Sequence, residues 1–109
     1  MDTQKAIYRY LPMTETMYYI LLSLTEPRHG YGVILYVEKI TNGRIRIGAG
    51  TIYTSLSRLE KDGLIKPYAE EDRRKFFAIS EIGLAVIKTE ISRLKELYEN
   101  GKKFEEGSI

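Results

Sequence analysis

The chain has 109 residues with a formal net charge of +2, a single histidine, and neither cysteine nor tryptophan. This is the common size of one domain; disulfides, thiolate metal sites and multi-histidine metal sites are excluded. The longest apolar run, "MYYILL" from Met17 to Leu22, is far short of the roughly 20 residues of a membrane helix, and the first residues lack a secretory leader's layout. The expectation is therefore a soluble cytoplasmic protein with no membrane association and no cofactor. A chain this small buries only about 60 to 70% of its unfolded surface, so a partner subunit is expected to add to its stability.

The first predicted helix runs from Glu15 to about Leu24, with Thr14 as N-cap and Pro27 beyond its end. Met17, Tyr18, Ile20, Leu21, Leu22 and Leu24 make it apolar nearly all round, which calls for burial on more than one side, in part against a second subunit. After the break "EPRHG", a second helix fits "YGVILYVEKIT", with Val33, Ile34, Val37 and Ile40 at helical spacing and Asn42-Gly43 as its stop. "RIRI" alternates as a short strand does, and "GAG" breaks it. A third helix spans about Thr51 to Asp62 and ends at Gly63, where a left-handed residue is wanted.

"LIKPY" and "KFFAI" flank the charged turn "AEEDRR" as a hairpin, with Pro67 at an edge or strand end. Ser80 caps a fourth helix, along which Leu84, Ile87, Ile91, Leu94 and Tyr98 recur as a heptad-like seam. Asn100-Gly101 is read as its end and "KKFEEGSI" as a frayed polar tail. The fold class expected is mainly α with a small β hairpin: a winged helix-turn-helix over residues 1–80, and a C-terminal dimerisation helix and tail over 81–109 in the same compact unit.

Charge is unevenly distributed. Met1 to Gly43 balances, Arg44 to Lys75 holds eight cations against five acids, and the remainder is slightly acidic. At about 100° per residue, Ile52, Leu56 and Leu59 form the buried stripe of the third helix. Opposite lie Thr51, Thr54, Ser57, Arg58 and Lys61, with Tyr53 on the flank. Hydroxyls that permit close approach, an arginine able to bridge guanine O6 and N7, and a lysine for the backbone suit a DNA groove. Arg73, Arg74 and Lys75 at the hairpin tip suit phosphates or a minor groove. A merely solvated helix face and a solubilising turn are the plainer alternatives, and Glu70, Glu71 and Asp72 support the second. His29, at the start of the second helix, is read as a capping or packing residue. With one histidine and no nucleophile spaced to meet it, no enzyme is expected.

The segments "HGY", "G.GT.Y..L.RLE..GLI" and "RRKFF.IS..G" together resemble the PadR family of bacterial transcriptional regulators, over Leu11 to about Leu97. The single C-terminal helix is similar to that of the short subfamily, whose members dimerise through it. The resemblance implies a homodimeric repressor that binds a two-fold symmetric double-stranded DNA operator and releases it on binding an effector. It places Thr51, Tyr53, Thr54 and Arg58 toward the groove and Lys61, Arg73, Arg74 and Lys75 on the backbone.

The dimerisation surface expected comprises Met17, Leu21, Leu84, Ile87, Ile91, Leu94 and Tyr98. Some relatives bind planar drugs or phenolic compounds at the dimer interface. This chain lacks the tryptophan of the best known such pockets, so Tyr8, Tyr10, Tyr18, Tyr19 and Tyr98 are the candidates for a small aromatic effector. The rival reading is a winged helix that docks proteins through its apolar helices and has no sequence-specific DNA binding.

Overall fold

Asp2 caps a helix in the N-terminal arm of the expected 1–80 domain, a segment for which the sequence reading named no element. In the computed structural model, which describes residues 1–107, its carboxylate accepts the Lys5 N–H at 2.8 Å and α1 runs Thr3–Tyr10. Ala6 and Tyr10, one turn apart, turn inward. Thr14 caps α2 (Glu15–Ser23) as expected, and the helix stops before Pro27.

The expected strand at "RIRI" does not form. The sheet edge it would need is taken by Arg28 and His29, which form β1 (Arg28–His29) opposite Phe77 and Phe76. Residues 44–47 instead run as an extended link whose alternation is still used, with Ile47 buried and Ile45 packed on the core. Asn42 and Gly43, both at positive φ, end α3 (Gly30–Ile40) as predicted.

The third predicted helix is α4 (Ala49–Lys61), which starts two residues early. Gly63, at φ +82°, reverses the chain after it, and the Leu64 N–H reaches back to the Leu59 carbonyl at 2.9 Å. The hairpin is longer than predicted and its turn shorter: β2 (Ile65–Glu71) and β3 (Arg74–Ile79) leave only Asp72 and Arg73 between them. In the antiparallel order β1-β3-β2, β2 is an edge strand, and Pro67 sits there beside a bulge at Tyr68, where its missing N–H breaks no ladder.

Ser80 caps α5 (Glu81–Glu105) by accepting the Gly83 N–H at 3.1 Å. The helix passes straight through Asn100-Gly101, so the predicted end and frayed tail are corrected as far as Glu105; the last two tail residues lie outside the described ones. Nothing packs within 4 Å of Gly101, so the mid-helix glycine costs only propensity, about 1 kcal/mol. Among the described residues no helix is long and apolar enough to cross a membrane.

One core joins these elements. Ile20, Leu21 and Leu24 meet Val33 and Val37, Ile52, Leu56 and Leu59, Leu64 and Phe77, and Val86 and Ile87. Each such burial contributes about 1.5 to 3 kcal/mol. The wing is fastened to this core at one seam: the Ser80 N–H donates to the Leu64 carbonyl at 2.9 Å and the Ser80 hydroxyl to the Gly63 carbonyl at 2.5 Å. Gly83 lies against the same strand, and a Cβ there would fall 2.1 Å from the Leu64 carbonyl oxygen.

Gly83→Ala should therefore destabilise the protein by about 3 kcal/mol, because backbone, not a movable side chain, blocks the added methyl. Gly101→Ala in the same helix should stabilise it by about 0.5 to 1 kcal/mol. Denaturant unfolding of both variants separates the two: equal effects would mean that the seam has room to spare.

Candidate nucleic-acid interface

No side chain caps α4. Its N-cap is Gly48, and Gly48 through Thr51 are all exposed, which leaves the N–H groups of the first turn facing solvent. Ile52, Ser55, Leu56 and Leu59 are buried, and Thr51, Tyr53, Thr54, Ser57, Arg58 and Lys61 are all exposed. The helical wheel and the structure agree on this face. It is divided in a way the wheel alone does not show, because different neighbours border its two flanks.

On one flank Tyr53 and Ser57 look toward the wing. The Tyr53 ring rests on Gly30, where a Cβ would come 3.0 Å from its Cε1, yet the residue stays 59% exposed. A groove of about 440 Å³ opens here, with Tyr53, Ser57 and Glu60 on one wall, His29 and Tyr31 at its end, and Arg73, Arg74 and Lys75 on the other wall. On the opposite flank Arg58 turns toward α1, its guanidinium carbon 5.2 Å from the centroid of the Tyr10 ring. Tyr53, Ser57 and the wing cations are thus brought together, while Thr51, Thr54, Arg58 and Lys61 lie outside that groove on the same helix.

The wing tip is shaped by positive φ at Asp72 (51°) and Arg73 (65°), the two-residue turn whose twist suits a tight hairpin. It projects Arg73, Arg74 and Lys75 into solvent. Glu70 lies across from Lys75 and Glu71 across from Arg74. Among the described residues, none of Arg58, Lys61, Arg73, Arg74 and Lys75 has a carboxylate oxygen within ion-pair distance, 4 Å. Arg44 and Arg46, which raised the charge of the middle segment, are committed internally to Glu15 and Glu38.

His29 caps α3 by accepting the Gly32 N–H at 3.0 Å, as the sequence reading expected. Its Nε2 also lies 3.2 Å from Arg74, a contact the sequence could not reveal because the two residues meet only through the β1–β3 pairing. Burial, and then the Arg74 charge, hold its imidazole below the usual histidine range.

The expected dimerisation residues divide. Leu21 and Ile87 are corrected to core residues of this chain, because α2 is buried between α3 and α5 and Ile87 turns into the same core. Met17 is half-buried, while Leu84, Ile91, Leu94 and Tyr98 are exposed on α5, joined by Leu97 and Phe104.

The five tyrosines do not converge within the chain. Tyr10 is buried and donates its hydroxyl to Asp62 at 2.7 Å, and burial, reinforced by that carboxylate, pushes its pKa up to about 12. It is a core residue rather than a pocket lining. Tyr8 faces solvent on α1 and Tyr98 on α5. Tyr18 and Tyr19, edge to face with centroids 5.6 Å apart, do share a shallow concavity with Met13, Glu15, Glu90 and Leu94.

Residues 19–89 match the model of the transcriptional regulator PadR-like family, a span that contains the α3–α4 pair, the wing and the first part of α5. A transcriptional regulator from Clostridium thermocellum superposes with a TM-score of 0.70 at 27% identity, covering 92% of this chain and 97% of that one. A PadR-like transcription factor from Bacteroides fragilis does so with a TM-score of 0.67 at 26% identity, covering 94% and 99%. An uncharacterised 37.1 kDa protein in transposon Tn4556 of Streptomyces fradiae is 30% identical over 87 residues, 79% of this chain. The chain spans only 24% of that relative's length. With the helix-turn-helix, the wing and most of the chain accounted for in this way, the chain belongs to the PadR-like family of transcriptional regulators.

Proposed function

We propose that this regulator is a cytoplasmic homodimer that binds a two-fold symmetric DNA operator in a sequence-specific manner, represses transcription there, and is released by a small aromatic effector. The observation that carries the DNA-binding part is the groove beside α4, where exposed hydroxyls meet three cations that have no ion-pair partner among the described residues. In this reading Thr51, Tyr53, Thr54, Ser57 and Arg58 approach base edges, and Lys61, Arg73, Arg74 and Lys75 hold phosphates. The uncapped start of α4 favours a further phosphate.

The dimer reading rests on α5. Its 25 residues span about 37 Å, and the half beyond Glu90 carries Ile91, Leu94, Leu97, Tyr98 and Phe104, all of which remain exposed among the described residues. A second copy would cover that stripe and present two recognition helices to half-sites about 34 Å apart. The Tyr18–Tyr19 concavity borders Leu94 of the same helix, so a partner's α5 would close it into a pocket for a planar, hydroxyl-bonding ligand.

Binding of the purified protein to its own upstream promoter and to an unrelated duplex, at two salt concentrations, tests the central reading. Preference for the promoter is expected, with log affinity falling by about 0.9 per phosphate contact against log salt. Indifference to both sequence and salt would favour the protein-docking alternative, which the wing acids Glu70, Glu71 and Asp72 keep in contention.

Arg58→Ala should flatten the preference between operator variants by about 1 to 3 kcal/mol, whereas Arg74→Ala should weaken all duplexes alike. Equal losses on every duplex for both variants would remove Arg58 from base readout. Ile91→Asp should give a folded monomer in light scattering with reduced operator affinity, since it would bury a charge in the α5 interface. A monodisperse dimer from that variant would move the interface elsewhere.

A further inference from the structure

The groove beside α4 contains an exposed contact between two side-chain nitrogens, one on His29 and one on Arg74. Because Nδ1 of His29 accepts the Gly32 N–H at 3.0 Å, the neutral ring must carry its proton on Nε2. That Nε2 lies 3.2 Å from Nη1 of Arg74, and a guanidinium has only donors. Two N–H donors therefore abut, and among the described residues no carboxylate or carbonyl accepts from either of them. Glu71, directly across the hairpin from Arg74, makes no ion pair with it.

The imidazole is held in this position. Its ring meets Phe76 edge-on at 5.0 Å and lies parallel to Tyr31 at 6.5 Å, and the α3 cap fixes its other nitrogen. Glu60 is the one carboxylate lining the groove, against the cations Arg73, Arg74 and Lys75. An anionic oxygen, which accepts hydrogen bonds without donating, is chemically suited to receive both of these N–H groups at once.

We propose that His29 is a phosphate-binding residue: its Nε2–H and the Arg74 guanidinium form a two-donor clamp on one non-bridging oxygen of a DNA backbone phosphodiester. This rests on the DNA-binding reading above. The clamp links the cap of α3 to the wing, so that one phosphate is held by both elements at once.

His29→Asn keeps an oxygen to cap α3 but removes the distal donor, and His29→Gln keeps a donor near the Nε2 position. His29→Asn should lower affinity for every duplex by roughly tenfold, with the salt slope unchanged because no charge is lost. Glutamine should recover part of the loss. In an Arg74→Ala background, where the slope drops by about one, the asparagine effect should shrink.

Because His29 is the only histidine, its ring nitrogens can also be followed directly by NMR. The expected result is an Nε2–H tautomer that shifts on adding duplex and does not shift with inorganic phosphate at matched ionic strength. An Nδ1–H tautomer, a loss from His29→Asn that is undiminished by Arg74→Ala, or wild-type affinity of His29→Asn overturns the clamp alone. An equal shift with inorganic phosphate also overturns it, assigning the site to the free ion. Salt-insensitive binding by the wild type overturns the DNA reading and the clamp with it.

Discussion

The geometry of the molecule hangs on the seam where Ser80 meets Gly63 and Leu64. Within a few residues, α4 ends, the wing starts and returns, and α5 departs. Ser80 bonds both carbonyls of the reversal after α4 while capping α5, and Gly83 lets that helix touch the strand backbone. The Ile79 N–H adds a bond to the Leu24 carbonyl at 2.7 Å, which ties the end of β3 to the end of α2. α4, the wing and α5 therefore share one origin, and their relative angles are set by short backbone bonds rather than by adjustable side-chain packing.

A second set of ties couples the N-terminal helix to the functional surfaces through buried carboxylates. Asp62, at the end of α4, accepts the Tyr10 hydroxyl and pairs with Arg9 at 3.5 Å, both on α1. Glu90 on α5 is buried, receives Arg93 at 2.5 Å and accepts the Met13 N–H at 2.7 Å at the entry to α2. Arg93 first, and then the Met13 N–H, hold its carboxyl below the usual range against the opposing effect of burial. Such pairs contribute little net stability over an apolar replacement, but breaking one leaves a buried charge, so they specify how α1, α4 and α5 register.

Electrostatically, the protein separates cations that hold the fold from cations left free. Arg44 and Arg46 pair with Glu15 and Glu38 on α2 and α3, and Arg28 lies over Tyr36 at 3.9 Å. The wing cations and Lys61 have no ion-pair partner among the described residues, although Lys75 lies 5.8 Å from the centroid of the Phe77 ring and Arg74 touches His29. A modest net charge of +2 thus coexists with a cluster of cations at the groove, where Glu60 is the lining carboxylate and Glu70, Glu71 and Asp72 neighbour the wing cations without pairing with them.

The four main helices, the hairpin, the caps at Thr14 and Ser80, the stop at Gly63 and the exposure of the outer face of α4 were all legible in the sequence. Each depends on contacts within a few residues: apolar period, a cap side chain, or a backbone angle that glycine tolerates. What could not be read there were features created by residues distant in sequence. Arg28 and His29 became a strand, and "RIRI" did not, because β3 offered its edge to the former. Ile87 followed the seam pattern and Leu21 the apolar run of α2, but both went into the core, since a wheel gives the direction of a side chain without saying which neighbour lies there. The meeting of Arg58 with Tyr10, and of His29 with Arg74, likewise required the chain to close on itself. Local sequence determined the elements and which faces they turn outward; only the tertiary structure decided which outward side chains meet, because that depends on strand pairing and helix angles that no short window of residues contains.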